Sequence, residues 1–237
     1  MLLMKDFKKF FTPKRIVFIA LFAIFAFITQ RINFSALVGA PNQFFTLFQF
    51  FGPIAGSFLG PVVGVIAVFS AEVTDFLVVG KELTWITVFR LVPMLFATYY
   101  FATNKKMLNV FVPIASIAVF LMHPIGRQVW FFALYWTIPI ILKILPQKYS
   151  ETVPARSLGA TFTAHSIGGA LWIWTIPMTA QMWINLIPVV AYERLLFALG
   201  IGISYIGINF LLDFVVNKLK IDVKDVLNID KKFTLKA

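Results

Sequence analysis

FFTLFQFFGPIAGSFLGPVVGVIAVFSAEVTDFLVV, residues 44–79, is an apolar run of 36 residues whose only charges are Glu72 and Asp75. As one straight helix it would extend about 54 Å, nearly twice the hydrocarbon thickness of about 30 Å that a bilayer offers. The chain must therefore turn within it. Gly60-Pro61 supplies the turn, because proline at a first helical position lacks an amide proton that would be orphaned there anyway, and glycine relaxes the residue before it. The run is read as two passes, 43–59 and 61–80. This makes the fold class an all-α, polytopic transmembrane helical bundle.

Outward from that hairpin, interruptions in hydropathy set further spans at 16–36, 84–103, 108–122, 128–146, 158–179 and 194–217. That gives eight crossings, or six if the hairpin 108–146 does not cross. Sixty per cent of the 237 residues are apolar and the mean hydropathy is +0.87, which suits such a bundle over residues 1–217 and leaves 218–237 as a cytoplasmic basic tail. A second long run, Trp183 to Asn217, is broken in this reading near Pro188 and Glu193-Arg194, with a short interfacial segment leading into the last span. Alternation of Lys with Ile, Val and Leu in the tail predicts a short helix on the inner leaflet.

The charges then order themselves. Lys5, Lys8, Lys9, Lys14 and Arg15 precede the first span; Lys105 and Lys106, then Lys143, Lys148 and Arg156, fall in alternate loops; Lys218, Lys220, Lys224, Lys231, Lys232 and Lys236 end the chain. With the N-terminus inside, these are 16 of the 21 Lys and Arg, so the positive-inside rule makes both termini cytoplasmic and the location a multi-pass cell membrane. Arg31, Lys81, Arg90, Arg127 and Arg194 remain near the outer ends. The net charge of +11 is thereby a matter of topology rather than nucleic-acid binding, which needs basic residues on a solvated polar face. With no cysteine and two separated histidines, no metal site and no cofactor are expected. Walker A, H-E-x-x-H and G-x-S-x-G patterns are absent, so the chain is not expected to be an enzyme or to hydrolyse ATP.

Ionisable groups inside apolar blocks are costly and default to function. Glu72 and Asp75 share a helix face; Arg90, His165, Glu193 and Arg194 lie toward the outer half. The plainer alternative is that Arg90 or Arg194 neutralises one of these acids as a structural pair. Trp172, Trp174 and Trp183, with Gln181, Asn185 and Tyr192, add flat apolar faces beside polar groups, as a pocket for a ring-bearing small molecule requires, although tryptophan also marks membrane interfaces. The candidate ligand-binding set is Glu72, Asp75, Arg90, His165, Trp172, Tyr192 and Glu193. Gly52, Gly56, Gly60 and Gly64 recur every four residues, and small side chains on one face allow close helix approach. Either internal packing or a docking surface follows, so Gly52 and Gly56, with Ala20 and Ala23 of the first span, are candidate partner-docking residues.

FFGPIAGSFLGPVVGV at 50–65, followed by AEVTD at 71–75, resembles the second-to-third span hairpin of the substrate-binding S components of energy-coupling factor (ECF) vitamin transporters. AHSIGGALW at 164–172 and IPVVAYERL at 187–195 resemble the fifth span and the start of the sixth in the same group, thiamine-type members especially. The resemblance covers about half the chain. It implies a protein that captures a vitamin or precursor from outside and hands it inward with an energising module of two ATPases and a transmembrane coupling subunit. It also implies ligand-facing positions for His165 and Trp172 and an outer lid from Ala36 to Phe44. A thiamine-type site would have an acid where this chain has Arg90, which turns the expected ligand toward a carboxylate or phosphate, the groups a guanidinium pairs with bidentately. Two alternatives stay open: a polytopic membrane enzyme acting on a lipid-linked substrate, with Glu72, Asp75 and His165 as acid–base groups, and a scaffold of the cell envelope.

Overall fold

The computed structural model describes residues 12–36, 44–220, 223 and 226–234. Helices dominate it. Helix α1 (Pro13–Thr29) starts on Pro13 with the Thr12 hydroxyl accepting from the Arg15 amide. It stops at Thr29, seven residues before the predicted end of the first span, because Gln30 and Arg31 turn away to Asp75. The chain continues as an antiparallel hairpin, β1 (Asn33–Ala36) against β2 (Phe44–Thr46).

The predicted pass 43–59 is not a single helix. Only α2 (Phe48–Phe51) and α3 (Ala55–Leu59) form, because Pro53 between them cannot donate an amide and crowds the preceding turn. The break at Gly60-Pro61 is present as expected. Gly60 sits at φ +88°, which only glycine adopts readily, and α4 (Pro61–Val79) begins on the proline and ends at the left-handed Gly80.

The small residues meet one another inside the bundle. A Cβ added to Gly64 would lie 2.2 Å from the Gly56 Cα, one on Gly56 would lie 2.7 Å from the Ala102 Cβ, and one on Gly52 would lie 2.7 Å from the Met94 sulfur. Both Gly52 and Gly56 are buried, which corrects the docking expectation for them: their surface is consumed in closing α3 onto α4 and the next pass. Ala20 is exposed and Ala23 half-buried, while Ala26, one turn on, is wholly buried.

The next pass is α5 (Trp85–Phe89) and α6 (Val92–Ala102), parted at Arg90-Leu91 ahead of Pro93. Helix α7 (Lys106–Met122) runs back. The segment expected at 128–146 is broken into α8 (Pro124–Gln128), a 3₁₀ helix (Trp130–Trp136) and α9 (Thr137–Ile144), then α10 (Gln147–Ser150). Helix α11 (Val153–Thr175) is the central post, packed against α6, α7, α9 and the last helix. It is rich in Gly, Ser and Thr because its surroundings are protein on nearly every side: the added Cβ of Gly159 would strike the Tyr100 ring at 2.2 Å and that of Gly169 the Trp136 ring at 2.6 Å.

Helix α12 (Ala180–Leu219) is a single helix of 40 residues, about 60 Å long. This corrects the expected interfacial break near Pro188. The proline removes one backbone bond but the helix continues through it, and the Tyr135 hydroxyl donates to the Ile187 carbonyl at 2.9 Å beside it. Among the described residues, three helices are long and apolar enough to cross a membrane: Pro61–Val79, the pass Trp85–Ala102 and Ala180–Leu219. Four shorter apolar segments accompany them, Arg15–Thr29, Phe48–Leu59, Lys106–Met122 and Trp130–Ile144.

The bundle has two unlike ends. At one, Lys143 donates to the carbonyls of Tyr100 and Thr103, Arg156 to that of Phe101, and Asn104 to Glu151. The described part of the tail folds back here instead of forming the predicted surface helix. Val223, Val226 and Leu227 are buried, the Asn228 amide donates to the Phe58 carbonyl at 2.8 Å, and Asp230 accepts from the Tyr205 hydroxyl while its amide donates to Asn209. The Phe58 carbonyl, left open at the end of α3, is thereby satisfied by the chain's own tail. The other end holds the hairpin, the α4–α5 loop and the junction of α11 with α12.

Candidate functional site

Between the hairpin and the helix ends lies a cavity of about 690 Å³. Its walls come from the end of α1, both strands, α2, the last turns of α4, α5 with the start of α6, the second half of α11 and the first half of α12. Of the seven residues singled out from the sequence, Glu72, Asp75, Arg90, His165, Trp172 and Glu193 line it. Tyr192 does not: it is 69% exposed on the outer side of α12, one residue and therefore about 100° around the helix from Glu193. Trp174 is likewise outside, its indole donating to the Val119 carbonyl at 3.1 Å, and Gln181 and Asn185 bond each other in the open.

The charged residues divide into those already engaged and those still open. Asp75, only 2% exposed, is gripped from both sides, by Arg31 at 2.5 Å and Lys81 at 2.5 Å. With its amide nitrogen turned inward, Gln30 donates to the same carboxylate at 2.9 and 3.1 Å. A buried carboxylate is costly unless several donors answer it, and here three segments meet on one: α1, α4 and the loop after it. Asp75 is thus the pin that fixes the hairpin's base.

Glu193 has a similar part on the other side. It accepts a short hydrogen bond from the Ser35 hydroxyl of β1 and lies 3.6 Å from Arg194. The Arg194 guanidinium lies 4.8 and 4.4 Å from the ring centres of Phe45 and Phe197, which contact each other edge to face. Phe34 and Phe45 of the strands pack on Phe197, and Phe34 on Phe50. Through these contacts the hairpin spans from α1 to α12. The predicted lid from Ala36 to Phe44 falls largely on residues 37–43, which lie outside the described residues; its two flanks are the strands.

Glu72, in contrast, has no hydrogen bond and no ion pair among the described residues. Arg90 donates once, from Nη2 to the Phe44 carbonyl at 3.2 Å, which leaves most of its five N–H donors open. Arg90 sits at the junction of α5 and α6, its amide donating to the Ile86 carbonyl at 3.1 Å. His165 accepts at Nδ1 from the Trp136 indole at 3.1 Å. An imidazole accepting at one nitrogen presents the other as N–H, so His165 offers a donor at Nε2, and the ring is held among Phe132, Trp136 and Phe162.

Trp183, one of the rings expected to face a pocket, lines the cavity too, as do Gln49 and Phe132, which were not anticipated. Gln49 had a usable signal, an amide alone within the apolar run 44–59. Phe132 had none, because its segment reads as ordinary hydrophobic helix and only the 3₁₀ geometry after Val129 turns it inward. Among the described residues no group of three or more His, Asp or Glu is placed to hold a metal ion. Comparison with protein-family models, with curated proteins and with solved structures finds no match for this chain.

Proposed function

We propose that this protein is the substrate-capturing membrane subunit of an importer of the energy-coupling factor type, binding a vitamin or vitamin precursor from outside. The observation that carries the reading is the cavity at the end of the bundle opposite the Lys- and Arg-rich loops, lined by unpaired polar groups and aromatic faces and spanned by a hairpin. Cavities of a few hundred Å³ with a few convergent polar groups in apolar walls are the usual form of a small-molecule site. The chain's own resemblance to S components at 50–75 and 164–195 points the same way.

In this reading the protein is a multi-pass cell-membrane protein. The chain passes back and forth eight times, counting the broken pass 48–59, and both termini are cytoplasmic. Substrate enters from the exterior, the hairpin closes over it, Trp172 and Phe132 cover its apolar part, and Glu72, Arg90 and His165 hold its polar groups. The protein carries no ATPase; two ATPases and a transmembrane coupling subunit supply the energy. The exposed face of α1, with Ala20 and neighbouring Ala23, is the proposed docking side, with the lipid bilayer covering the rest. Mass-spectrometric identification of a small molecule that co-purifies with detergent-solubilised protein tests the reading. Tight binding without turnover supports it, and metal-dependent turnover of a lipid-linked substrate would replace it with the membrane-enzyme alternative.

A further inference from the structure

The cavity is lined by four cationic side chains, Arg31, Lys81, Arg90 and Arg194, and four anionic ones, Glu72, Asp75, Glu82 and Glu193. Most are answered by the protein. Asp75 takes Arg31 and Lys81, and Glu193 takes Ser35 and Arg194. Glu82 stands on an exposed loop in reach of water. Two are left, of opposite sign, Glu72 from α4 and Arg90 from the α5–α6 junction. They face the same space yet do not approach within ion-pair distance of each other, because α4 and the α5–α6 pass hold them on separate walls.

A ligand of one sign would answer one of these groups and leave the other charged and unpaired in a partly desolvated chamber, a costly arrangement. We propose that the ligand is a zwitterion: a small molecule with a cationic nitrogen that meets Glu72, a carboxylate or phosphate that meets Arg90, and a flat apolar body between them. This rests on the capture reading above and gives its substrate class. The balanced lining agrees with it, since neither sign is favoured by the cavity as a whole. Arg90 presents the fork geometry that pairs with planar or tetrahedral oxyanions. Phe132 and Trp172 line the same chamber, and the Nε2 donor of His165 and the Gln49 amide serve neutral polar atoms on the body.

The test uses the full-length protein in detergent, with the co-purifying small molecule extracted, identified and quantified for wild type and for Glu72→Gln, Glu72→Asp, Arg90→Gln and Tyr192→Phe. The expected ligand carries both a basic nitrogen and an acid. Occupancy falls about tenfold or more in E72Q and in R90Q, the size of a lost charged hydrogen bond, while E72D, which keeps the charge, retains more than E72Q, and Y192F retains all of it. Unchanged thermal midpoints of the ligand-stripped variants separate lost binding from lost folding. A ligand bearing charge of a single sign, or a loss confined to one of E72Q and R90Q, overturns the zwitterion assignment and leaves capture standing. If no small molecule co-purifies, the capture reading falls and this inference with it.

Discussion

Asp75 shows how one side chain decides what its neighbours can do. Two cations and an amide converge on it, so its role is to tie α1, α4 and the following loop together, and Glu72, one turn earlier on the same helix, is left free for the chamber. Asp75→Asn keeps the shape and removes the charge. It is expected to lower stability by about 1–3 kcal/mol, the cost of leaving buried donors poorly answered, read as a thermal midpoint lower by several degrees. Because the hairpin's base is loosened, ligand retention should fall too. An unchanged midpoint would mean that Arg31 and Lys81 do not anchor the segment. The sequence pointed to Glu72 and Asp75 together as residues on one face, and periodicity alone could not separate them; the distinction came from Arg31 and Lys81, which are 44 and 6 positions away from Asp75.

Among elements, α3 and α4 fit closely, with Gly56 and Gly64 meeting backbone to backbone. Close-packed interiors do not yield to an added side chain without displacing a helix. Gly64→Val is therefore expected to destabilise by about 1–3 kcal/mol or more, and Gly60→Val to strain a backbone at φ +88°. Gly207, which has open space where a Cβ would go, is the matched control: Gly207→Ala should leave the thermal midpoint unchanged or raise it, since alanine favours the helix by up to about 1 kcal/mol. Equal effects at Gly64 and Gly207 would contradict the packing described. The four-residue glycine spacing was legible in the sequence. Whether it served packing within the chain or between chains was not, because both uses select the same small side chains.

On the scale of the whole molecule, the ends differ in charge and in closure. The basic end is sealed by the chain's own tail through Asn228 and Asp230, and the other end contains the chamber. Since the chain has no cysteine, single substitutions report sidedness cleanly. In intact cells Glu82→Cys should react with a membrane-impermeant maleimide added outside, and Lys148→Cys should react only after permeabilisation; the reverse pattern would invert the proposed topology. Composition and charge order were enough to specify a helical, apolar, strongly sided chain, because those properties add up residue by residue along the sequence. They also indicated the turn at Gly60-Pro61, a local matter of backbone chemistry. The unbroken length of α12, the division of the 124–144 pass and the choice of which charges stay unpaired were decided only in three dimensions. The charges show why: which of them stay open depends on what a distant segment supplies, as when Arg31 and Lys81 close on Asp75. Such pairings leave no periodic trace in the chain that forms them.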